Sequence, residues 1–432
     1  MRTIRLILIL VMISPQAWSA PEERPRVYFE KPVEWADMVK SAVRSNPDIL
    51  SSKHQVDSIA RSRDIAFGDY LPSVTGDMGK SRTSRARTES SDALGVGLTA
   101  EQTLFSGFET TGNFLQARKN LEAARFDYKN TSAQVRFRLR QVYIELLKLK
   151  KQLEVSRRIS ERRKKNAELI QLRYEAGREH IGSAMRARAI AEQAEFEVRQ
   201  IVRRIESQSY RLRREMGENF DLPVEIAGDL EKLIPISQNE VTEASAEQLV
   251  LFQPEALREQ KSAEALKSAI LAAQASIWPN IGGFFTYDYS GPRASELEKE
   301  SVLGIRISIP FFDGGKNVNS IRKASSDYGA AKESARGTKD ELTVELAETK
   351  AELIDALEFI RVRKSFLDAA RKRSEIVRQE YESGLVNFQD FDISEQEIAD
   401  AEKNFVESLA NVLVQNANWD LAQGITLEDA LS

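Results

Sequence analysis

The chain of 432 residues contains no cysteine. Disulfides are therefore excluded as a source of stability, thiolates as metal ligands or nucleophiles, and a lipid-modified N-terminal cysteine as an anchor. Histidine is almost absent too. His54 and His180 stand alone, and two isolated imidazoles without cysteine partners make no metal site. No stretch beyond residue 19 is apolar enough for a transmembrane helix, so any insertion into lipid falls to β-strands, whose signal per segment is weak. There is no phosphate-binding loop and no nucleophile motif. Nor is there an excess of positive charge. Lys and Arg number 62 against 66 Asp and Glu, a formal net charge of −4, which gives no general reason to expect nucleic acid as a partner.

What is present places the chain elsewhere. With 41% apolar and 30% charged residues it is neither disordered nor a helical membrane protein. Residues 1–19 read as a secretory signal: Arg2 and Arg5 form the positive region, residues 6–13 the apolar stretch, and Ala17-Trp18-Ser19 the small-x-small site, with cleavage after Ser19. A membrane anchor is the alternative, but the apolar run is too short to span.

The dominant feature is a duplication. Residues 47–217 recur at 254–424 in one constant register, 207 residues apart, with no gap. Pro47 matches Pro254, Pro72 matches Pro279, Gly97 matches Gly304, Gly107 matches Gly314, Tyr174 matches Tyr381, Gly177 matches Gly384 and Gly217 matches Gly424. Pro and Gly fix or free backbone dihedrals, so shared punctuation means one architectural unit used twice. The unit is too long for a solenoid repeat.

Each copy begins with a helical stretch, residues 33–70 and 246–277, which Pro72 and Pro279 end. Two extended segments follow, 73–82 and 93–105 around a polar loop 83–92, and 280–289 and 301–312 around 290–300. The second strand of each pair alternates. Leu94, Val96, Leu98 and Ala100 oppose Gly95, Gly97, Thr99 and Glu101, while Leu303, Ile305, Ile307 and Ile309 oppose Val302, Gly304, Arg306 and Ser308. A continuous apolar face opposite a polar one fits a barrel strand between lipid and water, with Val96, Leu98, Leu303, Ile305 and Ile307 facing lipid and Phe285, Tyr287 and Tyr289 near an interface. A soluble antiparallel sheet covering a core has the same alternation.

Proline-free segments 109–175 and 317–383 then predict helices of about 100 Å at 1.5 Å per residue. Leu139, Leu146 and Leu153 sit seven apart, as do Leu346, Leu353 and Ile360, a spacing that implies coiled-coil packing. Tyr174-x-x-Gly177 and Tyr381-x-x-Gly384 mark a reversal with Gly at a helix C-terminus, and a return helix follows. The expected organisation is a first repeat over 20–217, a connector over 218–245 and a second repeat over 246–432. Four strands are too few to close a barrel, and open edges are not tolerated in lipid, so the chain must oligomerise.

This arrangement resembles the TolC family of outer-membrane channel proteins. Asn46-Pro47-Asp48, Leu71-Pro72 and Leu104-Phe105-Ser106-Gly107 carry the resemblance in the first copy, and Gln253-Pro254-Glu255, Trp278-Pro279 and Pro310-Phe311-Phe312-Asp313-Gly314 in the second. Tyr381-Glu382-Ser383-Gly384 followed by Asp390 looks like the family's tip motif. The resemblance implies a mixed α+β fold, a trimer whose three chains form a twelve-stranded outer-membrane barrel, and a periplasmic α-helical tunnel. It implies as partners a periplasmic adaptor and an inner-membrane transporter, with no cofactor. It places Tyr174, Gly177 and Gly384 at the adaptor-facing tips, and Tyr381 and Asp390 at the pore aperture. The family's basic aperture position is Val386 here, and the first-copy counterpart of Asp390 is Ser183, so an Arg–Asp link at those positions is not carried over. The first tip is basic instead (Arg173, Arg178, His180, Arg186, Arg188) and the second acidic (Glu380, Glu382, Asp390, Asp392), which suggests pairing between neighbouring subunits.

Rival readings have less behind them. The basic run 157–165 is expected to be a solvated helix face paired with glutamates rather than a nucleic-acid patch. Asp390 and Asp392, two apart on a helix, do not face each other as an acid–base pair would. A secreted periplasmic coiled-coil scaffold without a pore accounts for the heptads and the charge but leaves the duplicated strand pairs unexplained. An enzyme has no feature in its favour.

Overall fold

The computed structural model describes residues 32–85, 88–218, 225–234 and 245–430. The expected signal segment and most of the connector lie outside them. In chain order the elements are α1 (Trp35–Ser45), α2 (Pro47–Gly68), β1 (Ser73–Arg85), β2 (Thr88–Phe105), α3 (Glu109–Glu175), α4 (Ile181–Met216), α5 (Ala246–Leu249), α6 (Pro254–Gln274), β3 (Asn280–Gly291), β4 (Glu298–Ser308), α7 (Lys316–Ser383) and α8 (Phe388–Ala422).

The helical stretch expected over 33–70 is two helices. The residue before a proline is pushed out of the helical region, and Asn46 sits at ψ 126. Its side chain then caps α2, accepting from the N–H groups of Asp48 and Ile49, while its amide donates to the Glu215 carbonyl at the end of α4. Gln253 caps α6 in the same way. The Asn-Pro-Asp and Gln-Pro-Glu triplets are thus helix starts, with Pro where its missing N–H costs nothing and an acid in the first turn.

β1 to β4 form one antiparallel sheet in sequence order. The first hairpin runs longer than expected, through most of the predicted loop 83–92. Backbone pairing does not depend on side-chain polarity, so a ribbon continues past the point where hydropathy changes. The last strand is shorter than expected, ending at Ser308 rather than 312, since Pro310 has no N–H for the ladder. Met78, Val96, Leu98, Phe285, Tyr287, Leu303, Ile305 and Ile307 share one face, by the pairings Met78–Val96, Leu98–Tyr287 and Phe285–Leu303. Asp77, Thr99, Thr286, Asp288, Glu300 and Arg306 lie on the other. On the polar face Gly79 and Gly95 are open, but two other glycines are covered. The Phe284 ring covers Gly304, so that a Cβ there would lie 2.6 Å from it, and the Asp288 carboxylate covers Gly97. Gly304→Arg, at a position that alternation puts on the polar face, meets that ring.

α3 and α7 have 67 and 68 residues. α3 packs on α2, α4, α6 and α8, and α7 on α6 and α8. Leu139, Leu146, Leu346 and Leu353 are all buried, as their spacing of seven requires. The main core joins α1, α3, α4 and α8 near the middle of the molecule with Val33, Ile226, Leu230 and Leu427. The chain's end is tied there by Glu428, which accepts from Tyr128 and Ser132, and by the Arg136–Asp420 pair. Among the described residues no helix is long and apolar enough to cross a membrane.

Candidate functional site

The helical end remote from the sheet consists of two hairpin tips. α3 turns into α4 at Gly177 and α7 into α8 at Gly384, with φ of +71° and +82°. The N–H of Gly384 donates to the Tyr381 carbonyl and that of Leu385 to Glu380, and Gly177 and Arg178 do the same with Tyr174 and Arg173. This is the Schellman termination, which requires the left-handed residue that Gly adopts without strain. A Cβ at either glycine would touch nothing within 4 Å, so the demand is on backbone conformation and the surface around both is open.

The two tips differ in what their tyrosines do. Tyr174 is more than a third exposed, whereas Tyr381 is 2% exposed. Phe391 stacks on Tyr381 at 4.6 Å between centroids and 9° between planes, and the Arg173 guanidinium lies 4.5 Å from the same ring centroid. Arg173 also donates to the Tyr381 carbonyl at 2.6 Å. The Tyr381 hydroxyl donates to Glu179 at 2.8 Å. The first-copy counterpart of Phe391 is Ala184, so Tyr174 has no ring to stack on. Burial, then the Glu179 charge, push the Tyr381 hydroxyl up, and it remains a donor at all physiological pH. Partial burial of Glu179 opposes its ionisation, but hydrogen bonds from the His180 N–H, Tyr381 and Ser183 hold its carboxyl below the usual range. Sequence reasoning missed Glu179 because its partner lies 202 residues away.

Behind this contact lies a buried ionic layer. Asp392 pairs with Arg163 on α3 and Arg186 on α4. Glu395, fully buried, accepts from Arg378 at 2.7 Å, Asn166 at 2.9 Å and Ser374 at 3.0 Å, and faces Arg162 at 3.2 Å. Burial opposes the Glu395 charge, but Arg378 and Arg162 more than offset it and hold the carboxyl low. Removing one member of such a group leaves the rest charged and unpaired. Opposite charges of the two tips therefore meet within one chain, where the sequence suggested pairing between neighbouring subunits. Most of the basic run on α3 is likewise paired: Arg158 with Glu154, Lys165 with Glu161, and Arg162 with Glu402.

Asp390 differs from Asp392 in the expected sense. Phe391 and Asp392 are buried, and Asp390 is exposed in the first turn of α8, its N–H capped by the Asn387 side chain. Val386 packs with Phe388 against Tyr381 and Phe391, filling apolar space where a charge would be desolvated. At the other end of the molecule, Leu303, Ile305 and Ile307 are exposed on the apolar face of β4 and Val96 and Leu98 on that of β2. Tyr287 and Tyr289 stand at one end of that face, and Phe105, Phe108 and Trp278 cluster at the other. Among the described residues no group of His, Asp or Glu is arranged to hold a metal ion.

The outer membrane efflux protein profile matches residues 38–218 and 253–424. A curated relative, the outer membrane efflux protein BepC of Brucella suis biovar 1, is 23% identical over 302 residues, which cover 67% of this chain and 63% of that protein, less than two thirds of its length. The open-state MtrE outer membrane channel of Neisseria gonorrhoeae aligns with a TM-score of 0.81 at 15% identity, over 92% of this chain and 90% of its own. The outer membrane protein VceC of Vibrio cholerae aligns at 0.78 and 17%, over 90% and 95%. At such identities these likenesses establish the fold.

Proposed function

The chain belongs to the outer membrane efflux protein family, and from that premise we propose that it is the outer-membrane exit duct of a tripartite efflux or secretion system. As a family member it resides in the outer membrane, with its helices extending into the periplasm. The duct receives substrate from an inner-membrane transporter through a periplasmic adaptor and releases it outside.

One observation carries this reading. The four-stranded sheet has an apolar face, a polar face and two unpaired edges. A sheet of that kind cannot sit in lipid alone, because each open N–H or C=O costs several kcal/mol. Three copies make a twelve-stranded barrel wide enough to hold water, apolar outside and lined by Asp77, Asp288 and Glu300. The long helices continue each strand pair into a tunnel, and the first and second repeats, 20–217 and 246–432, supply equivalent sectors of its wall. At the far end, Tyr174, Gly177 and Gly384 face the adaptor. The stacked Tyr381, held by Arg173, Glu179 and Phe391, narrows the aperture, and Asp390 lines it. Under threefold symmetry Asp390 forms a ring of negative charge.

Crosslinking in detergent should yield a three-chain species, and purified protein should conduct in planar bilayers. A stable, water-soluble monomer with no conductance would overturn the proposal.

A further inference from the structure

We infer that a groove between α2 and α3, on the outer surface just below the sheet, holds the headgroup of an anionic phospholipid from the periplasmic leaflet of the outer membrane. The inference rests on the duct proposed above only for where the bilayer lies, and it adds a lipid site at that level.

Phe67 and Tyr70 near the end of α2 pack with Phe114 of α3, ring centroids 5.9–6.0 Å apart, and the Tyr70 hydroxyl donates to Thr111. Arg63 on α2 and Arg118 and Arg125 on α3 line the groove with Phe67 and Phe114. It opens away from the lumen. Asn113 marks the lumenal side of α3, because it shares a cleft with Glu101 and Arg306 of the polar face. Arg118, Glu122 and Arg125 lie about 140°, 180° and 120° round the helix from it, at 100° per residue. The depth suits a headgroup. Phe105, Phe108 and Trp278 mark the lower edge of the apolar band. At 1.5 Å per residue Arg63 lies about 10 Å below Tyr70 and Arg118 about 15 Å below Phe108, and the headgroup layer extends about 5–8 Å beyond the hydrocarbon. Helical side chains lean toward the N-terminus, which on α3 is toward the bilayer, and the long arginine stem carries its charge to the interface. Above the groove Leu71, Val74 and Met78 are exposed, with Val74 opposite Ala100 and Met78 opposite Val96 on the apolar face, a track for acyl chains.

The charge is of the right sign. Arg61 and Arg63 share Asp64. Arg118, Lys119 and Lys261 share Glu122, and only the two lysines also reach Glu264. In both networks cations outnumber carboxylates, and Arg125 adds a further positive charge at the lower end, in a chain whose formal net charge is −4. The Arg63 and Arg118 side chains are 36% and 58% exposed, so their donors are open to a phosphodiester, whose oxygens match the guanidinium fork. The duplicated architecture does not require this cluster. α6 packs on α7 as α2 packs on α3, yet the second-repeat counterparts of Arg63, Phe67, Phe114 and Arg118 are Ile270, Gln274, Ile321 and Ser325. Arginines and rings are therefore dispensable for building the wall at this level, and the groove occurs once per chain.

Native mass spectrometry of the full-length protein, purified in detergent, reads bound lipid directly. Two arginines facing an anionic headgroup should favour dioleoyl phosphatidylglycerol over zwitterionic dioleoyl phosphatidylcholine by roughly thirtyfold. Arg63→Gln with Arg118→Gln should reduce that preference to about twofold. Arg322→Gln with Lys323→Gln removes the same charge at a similar depth on α7, where Arg322 is the counterpart of Leu115, and should leave the preference as it is in the unaltered protein. Equal loss from the two double variants would overturn the site, since the attraction would then be that of a diffuse basic surface. Equal binding of the two lipids by the unaltered protein would also overturn it. Glycerol 3-phosphate in large excess should displace little of the bound lipid, because it has no acyl chains to follow Leu71 and Val74; full displacement would make this a site for free phosphate and refute the lipid assignment. Conductance of the same preparations in planar bilayers keeps the two levels of failure apart. Neither double variant alters the pore, so both should conduct as the unaltered protein does. Absent lipid preference with conductance intact overturns the site alone, whereas no conductance from any of the preparations overturns the duct.

Discussion

Ile305→Arg tests the facing of the sheet with a magnitude set by depth. Ile305 pairs with Gly283, four residues along β3 from Tyr287 and five from Trp278. At about 3.4 Å per residue these are roughly 14 and 17 Å along the strand. A tilt of about 35–45° reduces them to roughly 11 and 13 Å along the membrane normal. Their total of about 24 Å matches the ≈ 25 Å apolar band between aromatic girdles, and Ile305 falls near its centre. An arginine at that depth costs about 2–4 kcal/mol per chain, hence roughly 6–12 kcal/mol for a trimer with three copies of the change. The partner substitution is Val302→Arg, which the pairing of Val302 with Thr286 puts on the opposite face. Val302 is exposed, whereas a side chain at Gly304 would meet the Phe284 ring, so Val302→Arg should cost near zero. Urea titration of protein folded into lipid vesicles gives the free energies, and the yield of heat-resistant trimer in outer-membrane fractions gives the cellular counterpart. Equal losses from Ile305→Arg and Val302→Arg would refute the assigned faces. A loss from Val302→Arg alone would mean that they are reversed.

Three further outcomes are expected at the tip. Gly384→Trp forces a side chain into a left-handed position, at about 1–2 kcal/mol, and places bulk on an open surface; export should be lost at normal protein level with trimers intact, and unchanged export would remove Gly384 from the adaptor contact. Asp390→Ala should reduce cation selectivity and block by multivalent cations in planar bilayers, whereas Asp392→Ala should leave selectivity closer to wild type but cost about 3 kcal/mol in unfolding, because it strands Arg163 in a buried site; the reverse pattern would exchange their roles. The Glu179 carboxyl titrates below its unfolded value, so the Tyr381–Glu179 hydrogen bond contributes stability above the ordinary glutamate pKa of about 4.3, lost as pH falls through the folded value. Channel opening should therefore rise on acidification below the ordinary glutamate range. Glu179→Gln, which still accepts from Tyr381, should abolish that step, and its persistence would assign the step to another group.

Local rules made much of this protein legible from sequence. Pro47, Pro72, Pro254 and Pro279 set helix boundaries because their rings constrain the preceding residue, and Gly177 and Gly384 ended helices because few other residues accept their dihedrals. Alternation separated Ile305 from Gly304 because a strand's side chains alternate with period two, and the constant offset of 207 revealed the duplication because each copy needs the same punctuation. None of these rules extends across the fold. That Tyr381 is stacked and buried while its twin Tyr174 is exposed depends on Phe391 standing where the other tip has Ala184, a difference that matters only once α7 and α8 are packed. The Glu179–Tyr381 bond, the burial of Asp392 beside an exposed Asp390, and the ring over Gly304 join residues that are distant in sequence or on separate strands. Sequence period specifies which face a residue occupies on its own element, and only the packing of elements against one another decides what that face meets.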